Sequence, residues 1–379
     1  MNALDLYGAN FPGRILFGSG VRNQVPGLVN ELLAGQQPRV MAVCSKSVLK
    51  TKPGKELIDA LKGKIVKTFT DVPHDPPVQC VDQIIAEIRE GDANLVVALG
   101  GGSVMDAAKS AAILACAEGK TADFLNGKLP MPNATIPVIA LPTTAGTGSE
   151  VTKNTVLSDH DANVKKSLRS PLLVPKAAVV DPDFTQGLSF TISRDSGLDA
   201  LTQAIESFIS LGANRLTRGL AREAIVLLMA HLESACTTDV NITRVRVAEG
   251  SLIGGLAFGQ SGLGAVHGLA HPIGHTLGTT HGLTCAILLP HILKWNLPAA
   301  KEEYQELAQT VGAGNMPEDF LTAVQKLCQI LEVPETFKSY NLKQEHFDYI
   351  IKNCRSGSMK ANPRPMSDDD VKQLLNSLL

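Results

Sequence analysis

The chain lacks the features that would settle its class at once. No run of 18 apolar residues occurs, so no membrane-spanning helix is expected. The opening MNALDLYGANFPGR has no basic stretch leading into an apolar one, so it is not read as a secretory leader. The cysteines at 44, 80, 116, 236, 285, 328 and 354 are odd in number and scattered, with no CxxC pair. That pattern argues against a disulfide framework and for reduced thiols in a cytoplasm. A formal charge of -2 provides no basic field for nucleic acid. GxGxxG and the P-loop GK[ST] are missing, as are internal repeats and low-complexity linkers.

What is present suggests two domains in 379 residues, because single cores rarely grow to that length. Up to about residue 183, short β-rich runs alternate with helical periods. Strands are expected at 14–17 (RILF), 39–44, 64–72, 94–99, 136–141 and 177–181, with helices near 53–62, 78–91 and 103–117. The runs LVVAL at 95–99 and IPVIAL are apolar throughout and bounded by turn residues, as in strands buried on both faces. Gly91 is placed as the C-cap of the 78–91 helix. The whole predicts an α/β domain over 1–183 with a mainly parallel sheet. RILF, expected to be exposed, is a strand that can pair with a second copy of the chain. After Asp181-Pro182 helical periods dominate: 197–210, 214–234, 241–258, 266–277, 302–311, 317–331 and 368–378, with Ser196 as an N-cap of the first. An all-α domain is therefore expected over 184–379.

Two turns in the first half carry chemistry. In LGGGSVMDAAKSAAIL, from Leu99 to Leu114, a buried strand enters Gly100, Gly101 and Gly102 and then a helix opened by Ser103. Glycines let the backbone approach a diphosphate, and a helix N-terminus offers free N–H groups and a favourable dipole. Asp106 complements that dipole or hydrogen-bonds a cofactor. In LPTTAGTGSEVTKNTV, from Leu141 to Val156, a second buried strand delivers hydroxyls and free amides suited to phosphate and ribose oxygens. Two such loops after neighbouring strands point to a nucleotide site at the carboxyl ends of a sheet.

The second half holds GAVHGLAHPIGHTLGTTHGLTCAILLPH, with five of the nine histidines: His267, His271, His275, His281 and His291. The first three are spaced i, i+4, i+8, which places them on one helical face if Pro272 lies in the first turn or at a bend. Metal binding or proton transfer is the leading reading of so dense a cluster. Cys285 lies in the apolar run TCAILLP and reads as core rather than nucleophile. In GLDALTQAIESF, Asp199 and Gln203 share a helix face, with Glu206 nearby. An inward carboxylate on an apolar helix is costly unless paired or bound to a cation.

Together these motifs resemble the iron-containing (group III) alcohol dehydrogenases, which share the dehydroquinate synthase-like fold. GGGSVMDAAK, LPTTAGTGSEVT, GLDALTQAIES, VHGLAHPIG, HGLTCAILLPH and NPRPMS at 362–367 occur in the family's order along almost the whole chain. The resemblance implies hydride exchange between NAD(P) and a small alcohol or aldehyde bound between the domains, with Fe²⁺ or Zn²⁺ polarising the substrate oxygen. It assigns the diphosphate to Gly101, Gly102, Ser103 and Asp106, and ribose and nicotinamide to Thr143, Thr144 and Thr147. Val156 and Lys165 are implied as further cofactor contacts. The family's metal ligands match at Asp199, His267 and His281; His271 matches a family histidine near the nicotinamide and substrate and is read here as a proton relay. Asn154, Phe258 and Ser358 fall at positions lining the substrate pocket, and His291 is read as structural. A homodimer or larger homo-oligomer is also implied.

The fourth ligand departs from the pattern, which is DALTH in the family and DALTQ here. Three accounts stand. Gln203 ligates through oxygen or water; His275 swings in; or the site is poor in metal and its redox activity retuned or lost. Where members that prefer NAD carry an Asp after the second strand, this chain has Ser45, followed by Lys46. A carboxylate would repel a 2′-phosphate, so the sequence leans toward NADP or dual use. A lyase like dehydroquinate synthase is the competing enzyme class.

Overall fold

A computed structural model of the chain describes residues 7–238 and 240–379. These form two compact units, Asn10–Gly187 and Leu188–Leu379, with residues 7–9 grouped with the second. The first unit is built on a six-stranded, wholly parallel sheet. Its strands are β1 (Arg14–Phe17), β2 (Val40–Cys44), β3 (Ile65–Phe69), β4 (Leu95–Gly100), β5 (Val138–Pro142) and β8 (Ala177–Val180). They lie in the order β1-β8-β5-β4-β2-β3, which puts β1 on an edge. The connecting helices are α1 (Val25–Leu33), α2 (Lys52–Ala60), α3 (Val78–Glu90), α4 (Gly102–Leu114) and the short α5 (Thr121–Leu125).

The side chains of β4 explain why its sequence is apolar throughout. Leu95, Val97 and Leu99 join a core with Val25, Val29 and Leu57 from α1 and α2. Val96 and Ala98 point to the other face and join Ile84, Ile88, Ala108 and Ala111 from α3 and α4. A strand covered on both sides has no polar face to alternate with.

Gly91 is the C-cap of α3 as expected, at φ -80°, and the left-handed residue after it is Asp92 at φ 46°. Glycine is needed at 91 because a Cβ there would sit 2.9 Å from Lys67 Cγ. Other local features differ from expectation. An antiparallel ribbon, β6 (Asn154–Asp159) with β7 (Val164–Arg169), occupies a stretch rich in Ser, Asp and Lys that carries only a weak strand pattern. Asn163, at φ 49°, lies in the turn that joins its strands.

The second unit is helical: α6 (Phe190–Ile209), α7 (Arg215–Thr237), α8 (Asn241–Ser261), α9 (Ala265–Leu277), α10 (His281–Asn296), α11 (Lys301–Thr310), α12 (Pro317–Ile330), α13 (Phe347–Asn353), α14 (Gly357–Ala361) and α15 (Asp368–Ser377). Two further differences fall here. Ser189, not Ser196, caps α6: its hydroxyl accepts the Ile192 N–H at 3.3 Å. Ser196 lies about two turns inside, and its hydroxyl donates to the Ile192 carbonyl at 2.7 Å. The helix α10 was not foreseen, since its apolar run contains Pro290. Among the described residues no helix is long and apolar enough to cross a membrane.

Register in the sheet places the functional loops. Cys44 is opposite Leu99, and Gly100 is opposite Pro142. The Ser45 N–H donates to the Leu99 carbonyl at 3.0 Å, and the Thr143 N–H to the Gly100 carbonyl at 3.0 Å. The loops after β2, β4 and β5 therefore leave the sheet side by side. Between β2 and β4 the strand order reverses, the position where doubly wound sheets open a crevice.

The loop after β5 is held by a buried amine. Lys109 on α4 is 1 % exposed, and its Nζ donates to the carbonyls of Ser149, Thr152 and Asn154 at 2.8, 2.9 and 2.9 Å. Burial pulls Lys109 down to about 8, partly offset by Asp106 and Glu150. Glu150 is also buried, and burial pushes its carboxyl from 4.5 up to about 7, against the opposing pull of its own backbone and Lys109. Between those two values the folded chain binds more protons at this residue than the unfolded chain. Stability must then fall as pH rises through the window, by up to about 1.4 kcal/mol per unit. Glu150→Gln should remove this fall. Denaturant unfolding should find the variant level with the parent below about pH 4.5 and more stable above about pH 7, a gap that a pH-independent difference would contradict.

Candidate functional site

In the second unit, one stripe of α6 carries Asp199, Gln203 and Glu206, all buried inside the helical bundle. Asp199 Oδ1 lies 3.3 Å from His267 Nε2 on α9 and 3.8 Å from His281 Nε2 at the start of α10. Cys285 Sγ, one turn along α10, lies 3.7 Å from His281 Nε2 and 4.0 Å from His267 Nε2. One donor atom from each of Asp199, His267, His281 and Cys285 falls within 4.8 Å of every other.

The surrounding chain is shaped to bring these atoms together. Gly282 lets α10 abut α6, since a Cβ there would lie 2.2 Å from the Asp195 carbonyl oxygen. The Thr280 hydroxyl donates to Asp195 Oδ2 at 2.9 Å and fixes the same junction. At the start of α9, the Ala265 N–H donates to Asn362 Oδ1 at 3.1 Å and the Val266 N–H to Glu206 Oε1 at 2.6 Å. Asn362, from the NPRPMS motif, also donates to Asn296 Oδ1 at 2.7 Å and so ties α9 to the end of α10.

Glu206 has a second duty that the sequence did not show. Its Oε2 accepts from His267 Nδ1 at 2.6 Å. That bond puts the proton on Nδ1 and leaves Nε2, the nitrogen facing Asp199, as a lone-pair donor. Desolvation pulls His267 down, but the charges of Cys285 and Glu206 and the neighbouring Asp199 carboxylate outweigh it and hold the imidazole well above its ordinary value, so a cation at Nε2 must displace a proton there. The pocket thus asks for positive charge. Asp199 Oδ1 and Gln203 Oε1 are both buried without a hydrogen bond. Orphaned oxygens beside two oriented imidazoles are the donor set of a divalent cation, so the residues fit the metal that the motifs implied.

The remaining candidates sort by position. Gln203 Nε2 donates to Asp199 Oδ2 at 2.9 Å, which orients that carboxylate. His271 stacks on His281 with ring centroids 5.0 Å apart. His275 packs instead on Tyr349, 5.9 Å away, so the structure does not put it in the vacated ligand position. His291 Nε2 hydrogen-bonds the Glu335 carbonyl at 2.9 Å. Phe258 on α8 and Ser358 on α14 are both buried in this unit.

In the first unit the glycine turn and the hydroxyl loop meet. A Cβ on Gly102 would lie 2.5 Å from Thr147 Cγ2, and one on Gly101 would lie 3.5 Å from Thr144 Oγ1. Gly101 is the N-cap of α4 and provides no side-chain bond, so the first N–H groups of the helix stay available. Asp106 gives both oxygens to the second loop: Oδ1 accepts from Ser149 Oγ at 2.5 Å and Oδ2 from the Val156 N–H at 2.8 Å. Thr143 is buried at the start of that loop. Lys165 on β7 pairs with Asp75 at 2.7 Å, and the Asp75 N–H donates to Ser103 Oγ at 3.3 Å. Sequence reasoning missed Asp75, which adopts a left-handed φ of 53° after β3. Ser45 Oγ accepts the Val48 N–H, and Lys46 pairs with Asp71. Asn154 on β6 contributes its carbonyl to Lys109.

Comparison with known proteins covers both halves of the chain. The profile described as "Iron-containing alcohol dehydrogenase" matches residues 12–182, and "Fe-containing alcohol dehydrogenase family, C-terminal" matches 193–379. The chain belongs to the iron-containing alcohol dehydrogenase family. It is 30% identical over 328 residues to the long-chain-alcohol dehydrogenase 1 of Geobacillus thermodenitrificans, covering 83% of this chain and 82% of that one. It is 31% identical over 315 residues to the 1,3-propanediol dehydrogenase of Klebsiella pneumoniae, covering 81% of each. Among solved structures, sulfoacetaldehyde reductase from Bifidobacterium kashiwanohense, in complex with NAD+, is 30% identical, with a TM-score of 0.92 and 99% of each chain covered.

The Glu206–His267 bond is open to a direct test. In Glu206→Gln the amide can satisfy the Val266 N–H only by turning its NH₂ toward Nδ1, which drives the proton to Nε2 and blocks ligation. Zinc affinity, measured by competition with a chromophoric chelator, should drop about 10–100-fold. Unchanged affinity would remove Glu206 from the metal site.

Proposed function

We propose that the protein is a metal-dependent dehydrogenase that interconverts small alcohols and aldehydes with NAD(P). The observation that carries this reading is the buried cluster of Asp199, His267 and His281, whose tautomer and orientation are set in advance by Glu206 and Gln203. Asp199 Oδ1, His267 Nε2 and His281 Nε2 would hold Fe²⁺ or Zn²⁺, with Gln203 beside them. Gly101, Gly102 and Ser103 would take the diphosphate on the N-terminus of α4. Asp106, Thr143, Thr144, Thr147, Val156 and Lys165 form and line the adjoining loop and ribbon, where ribose and nicotinamide would lie. When bound, the metal supplies Lewis-acid polarisation of the substrate oxygen and the nicotinamide supplies or accepts the hydride.

The chain's own residues handle binding and the proton. His271 stacks on His281 and is half-buried, a position from which its imidazole takes the proton leaving the alcohol hydroxyl and passes it to solvent. Phe258 and Ser358, both buried in the second unit, would line the substrate pocket. Ser45 presents no carboxylate to a 2′-phosphate, which supports use of NADP or of both cofactors, while Asp71 offsets part of the charge of Lys46. Relatives named for long-chain alcohols and for 1,3-propanediol lie at nearly the same identity, so the reading stays with small alcohols and aldehydes as a class.

A panel of small aldehydes assayed with NADH and with NADPH tests the reading. Turnover should appear, vanish on chelation and return with Zn²⁺ or Fe²⁺. A metal-loaded protein that oxidises neither cofactor with any aldehyde would end the proposal, and a strong preference for NADH would overturn the cofactor assignment.

His271→Ala should lower kcat on the order of 10²-fold while leaving metal content unchanged, as expected for loss of a proton-transfer group. Normal turnover across the pH range would refute the relay.

A further inference from the structure

We propose that Cys285, rather than Gln203, completes the protein's metal ligand set, giving an Asp–His–His–Cys centre. The inference rests on the metal-dependent reading above and assigns the ligand that this chain's DALTQ sequence leaves open.

Distance is the first argument. A tetrahedral ion bonded to nitrogen and oxygen at about 2.0–2.1 Å and to sulfur at about 2.3 Å has edges of about 3.3 Å between nitrogen and oxygen and about 3.6 Å between nitrogen and sulfur. The cluster shows 3.3 and 3.8 Å for the first kind of edge, Asp199 Oδ1 to the two Nε2 atoms. For the second kind it shows 3.7 and 4.0 Å, Cys285 Sγ to the same two nitrogens. The four atoms need only small movements to close on one ion.

Direction is the second argument. Cys285 follows His281 by one helical turn, so both side chains leave the same face of α10. Cys285 is fully buried, and the polar neighbours of its sulfur are the two imidazoles. Cys116 and Cys354, by contrast, donate back to backbone carbonyls of their own turns.

The third argument concerns the rival. Gln203 must turn its NH₂ toward Asp199 Oδ2, because its oxygen there would face another acceptor. The amide thereby acts as an orienting group for Asp199. Its Oε1 remains buried without a hydrogen bond and is the alternative ligand the test must separate. Ligation by Cys285 exchanges the thiol S–H bond for a metal–sulfur bond. The proton leaves to solvent, and no oxidation state changes. A thiolate shifts preference toward Zn²⁺ and away from oxygen-loving ions such as Mg²⁺ and Mn²⁺.

X-ray absorption at the zinc edge of the intact, Zn²⁺-loaded chain reads the ligand set without any variant. One sulfur at about 2.3 Å beside nitrogen and oxygen at about 2.0–2.1 Å is expected. A shell of nitrogen and oxygen alone overturns the proposal. Zinc affinity gives a second reading. Cys285→Ser should lose more than the roughly 10–100-fold that removing an outer partner costs, and Gln203→Ala should lose less. The reverse order overturns the assignment. A nitrogen-and-oxygen shell in a protein that still reduces aldehydes sinks the thiolate and leaves the dehydrogenase standing, whereas failure to bind stoichiometric Zn²⁺ sinks both.

Discussion

The second unit is organised around one costly fact, the burial of the Asp199 carboxylate in a bundle of apolar helices. An ionised carboxylate out of water has to meet positive charge or be hydrogen-bonded on all sides. Here one oxygen is satisfied by Gln203 Nε2 and the other faces two imidazoles with no hydrogen bond of its own. The neighbouring peculiarities follow from that arrangement. Gly282 is small so that α10 can approach α6, and Gly264 is small because a Cβ would press within 2.7 Å of Glu206 Oε1. Glu206 in turn caps α9 and orients His267 in one stroke. Removing any of these residues would leave a buried acid facing nothing suited to it.

The first unit meets the same physical problem with the opposite sign. Lys109 buries an amine and satisfies it with three carbonyls of a single loop, so the charge serves as a rivet. Because the rivet comes from α4 and the loop follows β5, it locks the glycine turn at the start of α4 against the hydroxyl-rich loop. Asp106, on the same helix, adds Ser149 and Val156 to the lock. The two loops are thereby held at a fixed separation, with α4 reaching both and the Thr143 N–H bonded to the Gly100 carbonyl. The motif GGGSVMDAAK thus combines a glycine turn with two residues, Asp106 and Lys109, that hold the neighbouring loop.

What the sequence disclosed follows a physical division. Strands β4 and β5 were legible because burial on both faces writes an unbroken apolar run. The partner loops were legible because glycine and threonine are rare right after such runs unless the backbone must turn or bind. The histidines were only half legible. A spacing of four residues advances about 40° beyond a full turn, so His267, His271 and His275 drift around α9. The structure accordingly sends the first into the cluster, the second onto His281 and the third to Tyr349. The roles of Glu206, Lys109 and Asp75 were missed because they depend on partners distant in sequence; as isolated residues these look like ordinary helix or loop charges. The ribbon β6–β7 and the helix α10 were hidden by composition, polar in the one and interrupted by proline in the other.

Cys285 shows where such reading goes astray. Its place in TCAILLP marks it as core, and it is indeed fully buried. Burial and chemistry are not alternatives, however, when the interior itself holds the reactive groups. Along α10, Ala286, Ile287 and Leu289 fill the apolar bundle, while the turn that begins at His281 returns at Cys285 to the face turned toward Asp199. The question that discriminates is therefore phase, not composition: whether a residue falls one turn from a group already fixed in the site. A sulfur placed that way beside two imidazoles is positioned by the same helix geometry that positions the histidine. The loss of a histidine at Gln203 and the presence of a thiol at 285 are then two sides of one electrostatic balance around the same buried acid.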